Sequence, residues 1–498
     1  MTSRSASSAA ARKLETCAHS LARTSSSLPF ILGYLLPLAL CCAAASNAQV
    51  RFRHETSRNS SALPSPTGTN QQTACVVGDF DADGRGDFVI ASRGTKGRIE
   101  FWHSRPGDRF DRYTVEASNV NPEAGGAAHD IDGDGDLDLV LGQDSQGQQI
   151  FWWENPAPSF EKPWTRRIIS TSPANKHHDQ VFVDLDGDKK AELVTWNQGS
   201  KSLLAFDIPS DARTRTAAWP SRTIGVSATV TKEGLAFADV DLDGRVDILA
   251  GGSIWRSTGT SFQEIVFEAS ADYTRVAVGQ LVPGGRPEIV LTPGDVDGKG
   301  YWYQWNGSSW VRNYIADLRH AHTLEIADLD DDGHQDILIG EMRLGHPQCE
   351  LFVLRGNSQG AFTKQLLSIG NDIHEGKLID FEGDGDLDIV HKPFDWLAPR
   401  VEVWRNGTKT LPVDKWTRSA VDGPFASPAL YALPGDFDRD GFADIAAGDA
   451  WWRNPGTANT AWVRTTFAAP LRNVACIADF DGDGDLDVFG TQGVGAST

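Results

Sequence analysis

The stretch "HDIDGDGDLDLVLG", His129 to Gly142, decides the fold. Aspartates occupy positions 130, 132, 134, 136 and 138, with glycines at 133 and 135, and an apolar run follows. Alternate carboxylates on a turn converge on one point, and glycine permits the sharp bend; this is the donor pattern of a calcium loop. A helix-loop-helix calcium hand is excluded. Counted from Asp130 as position 1, the twelfth residue is Leu141 where a bidentate glutamate is needed, and "LVLG" reads as a strand.

The pattern recurs along the chain. Intact copies begin at Asp79, Asp130, Asp184, Asp239, Asp328, Asp380, Asp436 and Asp479, and a degenerate copy begins at Gln280, a period of about 50 residues. Each intact copy has a carboxylate at position 9. The predicted metal ligands of the first four loops are Asp79, Asp81, Asp83 and Asp87; Asp130, Asp132, Asp134 and Asp138; Asp184, Asp186, Asp188 and Glu192; and Asp239, Asp241, Asp243 and Asp247. Those of the other four are Asp328, Asp330, Asp332 and Asp336; Asp380, Glu382, Asp384 and Asp388; Asp436, Asp438, Asp440 and Asp444; and Asp479, Asp481, Asp483 and Asp487. Lys189 stands where glycine belongs, so the loop at Asp184 is predicted weak. The Gln280 copy has lost positions 1, 3 and 5 and is predicted empty.

Each loop lies between two short apolar runs, such as "LEIA" before and "DILIG" after. An aromatic run follows ("IEFWHS", "QIFWWEN", "VEVWRN"), then a fourth run that often opens with Trp-x-Arg, as at Trp164 and Trp416. Turn residues separate the runs and nothing reads as a long helix. Four strands per repeat describe an all-β fold, a β-propeller of four-stranded blades. From these loops and flanks the chain resembles the FG-GAP/VCBS propellers, the architecture of the integrin α-subunit head, over about residues 49 to 498. The resemblance implies structural calcium in the hairpin between first and second strands of most blades.

At the N-terminus, Arg4, Arg12, Lys13 and Arg23 precede "LPFILGYLLPLALCCAAA", and small residues at Ser46 and Ala48 follow. Residues 1–48 therefore read as a secretory signal peptide, and the mature chain is expected to be secreted, periplasmic or on the cell surface. No later segment is apolar enough to span a membrane. Losing four basic residues and Glu15 deepens the net charge from −21 to −24, which argues against nucleic acid as a partner. Of three remaining cysteines, Cys75, Cys349 and Cys476, isolated thiols are expected.

"VRFRHETS", residues 50–57, looks like a fourth strand with no blade of its own, able to complete a blade whose first three strands end near Asn406. The expected organisation is thus a seven-bladed propeller over 49–406, then further blades over 407–498, the start of a truncated second propeller; a single eight-bladed ring is the alternative.

A second register lies at the other end of the blades. Six residues before each loop stand Thr73, Ala124, His178, Glu233, Thr274, His322, His374, Leu430 and Asn473. The second strand returns to that end near Asn197, Glu341 and Lys392, with His177, His320 and Glu375 nearby. In a closed ring His178, Glu233, His322, Glu341, His374 and Lys392 are expected to line one funnel. His and Glu there suit proton transfer, Lys392 suits an anionic group, and imidazoles with a carboxylate suit an additional transition metal. Propeller channels are wet, so such residues also sit at their mouths without a purpose.

"HTLEIADLDDDGHQDILIGEM" and "DFEGDGDLDIVHKPFDW" are also similar to the propellers of aldos-2-ulose dehydratase-type enzymes, which act on sugar derivatives and carry a cupin; this chain has none. The leading expectation is an exported calcium-binding propeller that binds a carbohydrate or an extracellular protein at the face opposite its calcium loops. The alternatives are a sugar or uronic-acid lyase or dehydratase working in the funnel, and an adhesion or assembly module. "RGD" at Arg85–Asp87 falls inside a calcium loop, and the tryptophans recur as packing residues do.

Overall fold

A computed structural model describes residues 50–69, 71–227, 232–394 and 397–408, with 432–435, 437–438, 444–455, 461–467, 471–478, 480 and 486–491. The expected signal peptide, the linker after Thr408, Leu430 and the ligands Asp436, Asp440, Asp479, Asp481 and Asp483 lie outside the described residues.

Strand follows strand as the repeats require. The first antiparallel sheet contains Gln72–Gly78, Asp87–Ser92, Ile99–Arg105 and Arg109–Glu116, hydrogen-bonded in chain order. Five more four-stranded sheets follow with the same order, their innermost strands being Ala127–His129, His177–Val183, Leu235–Ala238, Thr274–Gly279 and Thr323–Ala327. The next sheet takes Glu375–Ile379, Asp388–Lys392 and Glu402–Asn406 from its own repeat. Its fourth strand is Phe52–Thr56, which pairs antiparallel with Glu402–Asn406, Phe52 opposite Asn406 and Thr56 opposite Glu402. Each innermost strand lies against those of its two neighbours, and Glu375–Ile379 lies against Gln72–Gly78, so these sheets close a ring. A further four-stranded sheet, Ala432–Gly435 to Val463–Thr466, and a strand pair, Asn473–Ala478 with Asp487–Thr491, belong to the later residues.

The burial gradient explains the composition of each strand. Second strands are enclosed on both faces, so Asp87–Ser92 and Asp336–Gly340 are buried throughout and read as continuous apolar runs. Fourth strands face solvent, as Ser221–Val226 does, and carry polar residues. Third strands supply the bulk between sheets: Trp102, Trp152, Trp153 and Phe101 are fully buried. The tryptophans are thus packing residues. Phe101, Trp153 and Trp164 join the first and second sheets in one apolar cluster, and Leu338, Val353, Ile389 and Trp404 join the two sheets before closure. Burying such a side chain contributes roughly 1.5–3 kcal/mol.

Closure is reinforced by side chains. Gln365 accepts from the Val50 N–H at 3.1 Å and donates to the Val50 carbonyl at 2.8 Å, tying the segment before Phe52–Thr56 to the sheet before the seam. Cys75, Cys349 and Cys476 are free. Among the described residues no helix is long and apolar enough to cross a membrane.

Candidate functional site

The loop at one end of each blade is organised by two carboxylates. The position 1 carboxylate accepts from the N–H groups of positions 5 and 6: Asp79 from Asp83 and Gly84 at 3.0 and 2.9 Å, and Asp239 from Asp243 and Gly244 at 2.9 and 2.7 Å. The position 9 carboxylate spans from the N–H of position 2 to the end of the third strand. Asp87 accepts from Phe80 and Ser104 at 3.1 and 2.7 Å, and Asp388 from Phe381 and Asn406 at 3.0 and 2.7 Å. Glu288 in the degenerate loop accepts from the N–H groups of positions 2 and 3, Leu281 and Val282, at 2.9 and 3.1 Å. A loop that has lost its other carboxylates keeps this one, so position 9 is a backbone staple in its own right. Asp87 is buried, so the "RGD" carboxylate does not face solvent.

The remaining carboxylates fit a cation. The oxygens of Asp79, Asp81 and Asp83 lie within 4.8 Å of one another, as do those of Asp130, Asp132 and Asp134. Position 3 holds a buried oxygen without a hydrogen-bond partner in four loops, at Asp81, Asp132, Asp241 and Asp330. Burial and neighbouring carboxylates push Asp138 up to about 8 and Asp136 to about 7, although Arg213 faces Asp132 at 2.6 Å in the same loop. Some cationic compensation is built in: His103 faces Asp81 at 2.9 Å, and Arg256 faces Asp241 at 3.6 Å. Lys189 takes φ = 71°, the left-handed conformation that glycine takes in the sister loops.

At the opposite end, four of the six funnel candidates meet. His178, Glu233, His322 and His374 line one cavity of about 360 Å³, together with Arg93, Glu123, Asp144, Lys176, Gln198, Asp295 and Phe394. Glu233 is the centre. Its Oε1 lies 3.8 Å from His178 Nε2 and its Oε2 lies 3.9 Å from His322 Nε2. Gln198 donates to Oε1 at 3.0 Å. His322 stacks on His374 with ring centroids 4.4 Å apart.

Behind His178 stands a pair that sequence reasoning missed. Asp179 faces His178 Nδ1 at 2.5 Å and accepts from both terminal nitrogens of Arg275, at 3.0 and 2.9 Å, and from the Gly234 N–H at 2.8 Å. Asp179 sits on a bulge between His178 and Gln180 with φ = 50°, which turns its side chain out of the strand's alternation. Arg275 comes from two sheets further round. Gly234, at φ = 71° in the sheet between, allows the approach: a Cβ there would lie 2.8 Å from Val276 N and 3.1 Å from Arg275 Cα.

The charges are strongly coupled. Burial opposes charge on His178, but Asp179 and Glu233 outweigh it and push the imidazole up to about 10. Burial raises Glu233 to about 7 against the pull of His178. Burial, with Arg275 nearby, holds His322 well below the ordinary range; burial and Lys392 do the same to His374.

Two candidates lie elsewhere. Glu341 is committed to the backbone, accepting from Arg319 at 2.9 Å and from Glu350 at 3.0 Å. It follows the strand Asp336–Gly340 and turns toward the third strand, away from the axis. Lys392 pairs with Glu375 in the ladder and is fully buried. Its ammonium donates to the carbonyls of Gln72 and Thr73, at 2.8 and 2.6 Å, and to His374 Nδ1, so it supports the cavity wall and is not free for an anion. Of the nearby residues, Glu375 accepts from the Cys75 N–H at 2.9 Å and His320 faces Asp297 at 3.5 Å. His177 is buried beside Asn197 and held down to about 4 by burial. The residues that sequence reasoning missed, Arg93, Glu123, Asp144 and Asp295, lie outside the register six residues before the loops; the only signal for Asp179 is that it follows "HH".

An FG-GAP-like repeat matches residues 130–195 and 328–391, each match spanning two successive loops. The chain is a β-propeller that carries FG-GAP-like repeats. Similar solved structures include BBS1N in complex with ARL6DN, soaked with mercury (12% identity, TM-score 0.44, 68% of this chain and 93% of that one). The same complex soaked with lead gives 11% identity and a TM-score of 0.41 over 68% of this chain and 92% of that one. No curated protein matches the sequence.

Proposed function

We propose that this is an exported propeller, stabilised by calcium in its loops, that binds a hydroxyl-rich ligand of the carbohydrate class in the axial cavity. The observation that supports the reading is the cavity's lining. Carboxylates of Glu123, Asp144 and Asp295 and donors from Arg93, Lys176 and Gln198 line a space of about 360 Å³. Sugar hydroxyls both donate and accept, so such a rim satisfies them, and the volume falls in the range of small-molecule sites. Calcium would be held by positions 1, 3 and 5 of the loops with the position 9 staple beside them, joining first and second strands by oxygen ligands.

The rim carries more acid than base, and Arg93 is already paired with Asp144 and with Glu123 at 3.6 Å. A neutral sugar is therefore favoured over a uronic acid. One observation favours a second reading, a dehydratase or lyase acting on a neutral sugar derivative: His322 is held uncharged beside Glu233. Uncharged imidazoles are proton acceptors.

Calorimetric titration of calcium-loaded protein with a panel of neutral mono- and disaccharides tests the reading. Saturable 1:1 binding of one or more members is expected. No heat from any of them, with binding of uronic acids instead, overturns it.

A further inference from the structure

We propose that Arg213 is a tethered cation that competes with calcium for the Asp130 loop, so that calcium entry there releases an arginine that the neighbouring sheet lays across it. The inference rests on the reading that the loops hold calcium, and concerns what regulates one of them.

The Asp130 loop departs from a pattern that its sisters share. Six third strands donate an N–H to their loop's position 9 carboxylate, from Ser104, Asn155, Ser257, Gly356, Asn406 and Asn454. In five of the six the residue just before that donor is basic and faces the position 3 carboxylate of its own loop. His103 lies 2.9 Å from Asp81, Arg256 3.6 Å from Asp241 and Arg355 3.7 Å from Asp330, while Arg405 pairs with Glu382 and Arg453 with Asp438. In the remaining strand that residue is Glu154. The most acidic loop, with aspartates at 130, 132, 134, 136 and 138, thus meets a sixth carboxylate where its sisters meet a cation.

Its cation comes from the next sheet. The connection between Ser202–Asp207 and Ser221–Val226 reaches the loop and is anchored by Ala212 and Trp219, buried in one cluster with Ile131 and Trp152. Arg213 follows the Ala212 anchor. Its Nε lies 2.6 Å from Asp132 and 3.1 Å from Glu154, and its terminal nitrogen donates to Asp134. Arg167 donates to the Arg213 carbonyl at 2.8 Å and pairs with Glu154, which fixes the connection where it crosses. A single exposed ion pair is worth little, but one guanidinium on three carboxylates, with the Asp132 side chain only 3% exposed, is a network.

Arg213 and calcium claim the same oxygens. Calcium takes about six to eight oxygen ligands, and positions 3 and 5 are among those this loop offers. A guanidinium in contact with both carboxylates sets like charge against the ion. Arg213 neutralises Asp132 without satisfying it, because the ion pair lacks hydrogen-bond geometry and both Asp132 oxygens stay buried without a hydrogen bond. Ligation by calcium would satisfy them. The competition is reciprocal: the factor by which Arg213 weakens calcium is the factor by which calcium cancels the stability that Arg213 contributes. In the sister loops cation and carboxylate belong to one sheet. Here they belong to two, so calcium entry reaches a contact between sheets.

The test measures calcium binding to the full chain by equilibrium dialysis, together with melting in chelator and in saturating calcium. Arg213→Met should tighten one calcium site by about tenfold or more and leave the others as they are. It should melt below wild type in chelator, where the carboxylates lose their cation, and level with wild type in saturating calcium. Arg213→Lys keeps a charge that cannot span three carboxylates. It should tighten the same site by a smaller factor, and keeps the proposal testable should Arg213→Met fail to fold. In an Asp130→Asn background the tightening should vanish. Calcium affinities unchanged in both Arg213 variants overturn the proposal. So does a melting deficit that saturating calcium does not close, or a tightening that persists with Asp130→Asn. Each of these leaves the calcium reading standing, whereas calcium bound to no loop overturns both.

Discussion

Arg275 grips both carboxylate oxygens of Asp179, at 2.9 and 3.0 Å, across the sheet that separates their own. The pair crosses the backbone of Gly234 and ends on His178, so it ties three successive sheets together and aims an imidazole into the cavity. Removing one partner of a buried pair leaves the other charge uncompensated, at about 3–5 kcal/mol. Arg275→Met is therefore expected to lower the denaturation midpoint sharply, and Arg275→Met with Asp179→Asn to recover part of the loss. Equilibrium unfolding of the two singles and the double measures the coupling; strictly additive losses would show that the pair does not act as a unit.

The two roles within a loop are separable. Glu288→Ala removes the acceptor of two backbone N–H groups in the loop that has no other carboxylates. It should cost about 1–3 kcal/mol and leave the rise in melting temperature on adding calcium unchanged. Asp130→Asn should do the reverse, shrinking the calcium-dependent rise. Thermal unfolding with calcium and with a chelator distinguishes them, and a calcium response lost in Glu288→Ala would refute the division.

Lys189 carries a strained backbone and a positive charge on a loop proposed to hold a cation. Lys189→Gly relieves φ = 71° at some cost in chain entropy, for a net gain of up to about 1 kcal/mol. It should also add one to the calcium stoichiometry under limiting calcium. An unchanged stoichiometry would mean that the lysine is not what weakens this loop.

His391 gives a pH signature away from any proposed metal ligand. It is fully buried, its Nε2 accepts from Trp404 Nε1–H at 3.1 Å, and burial holds it down to about 4. The unfolded chain takes up this proton near the ordinary value of about 6.5. Stability from the neutral ring is thus complete above about pH 6.5 and is lost as pH falls toward 4, by on the order of 3 kcal/mol at most. His391→Gln keeps an acceptor for Trp404 without titrating. The stability gap between wild type and His391→Gln should narrow from pH 7.5 to pH 5 in urea unfolding; a gap independent of pH would contradict the assignment.

The strand order and the axial register were legible because both repeat. Apolar runs around each loop fix four strands per period, and position −6 falls near the start of each innermost strand of the closed ring, which is why His178, Glu233, His322 and His374 meet. Glu341 and Lys392 were misplaced because the end of a second strand was read as facing the axis. Backbone N–H groups claim the Glu341 carboxylate, and the carbonyls of Gln72 and Thr73 claim the Lys392 ammonium. Asp179 and Arg275 escaped because their meeting depends on a bulge and on a glycine in another repeat, neither of which a periodic pattern encodes. The position 9 carboxylate, predicted as a metal ligand, also holds two backbone N–H groups, a second role that a carboxylate in such a loop does not reveal in sequence.

On the proposed reading the two ends of the ring do different work, calcium loops holding the scaffold and the axial cavity binding the ligand. The most direct measurement is calorimetry with the best-binding neutral sugar on wild type, Glu123→Gln and Asp295→Asn, alongside calcium-dependent melting of each. Sugar affinity should weaken tenfold or more in both variants, with the calcium-dependent rise in melting temperature unchanged. Undiminished sugar binding in both variants would contradict that reading.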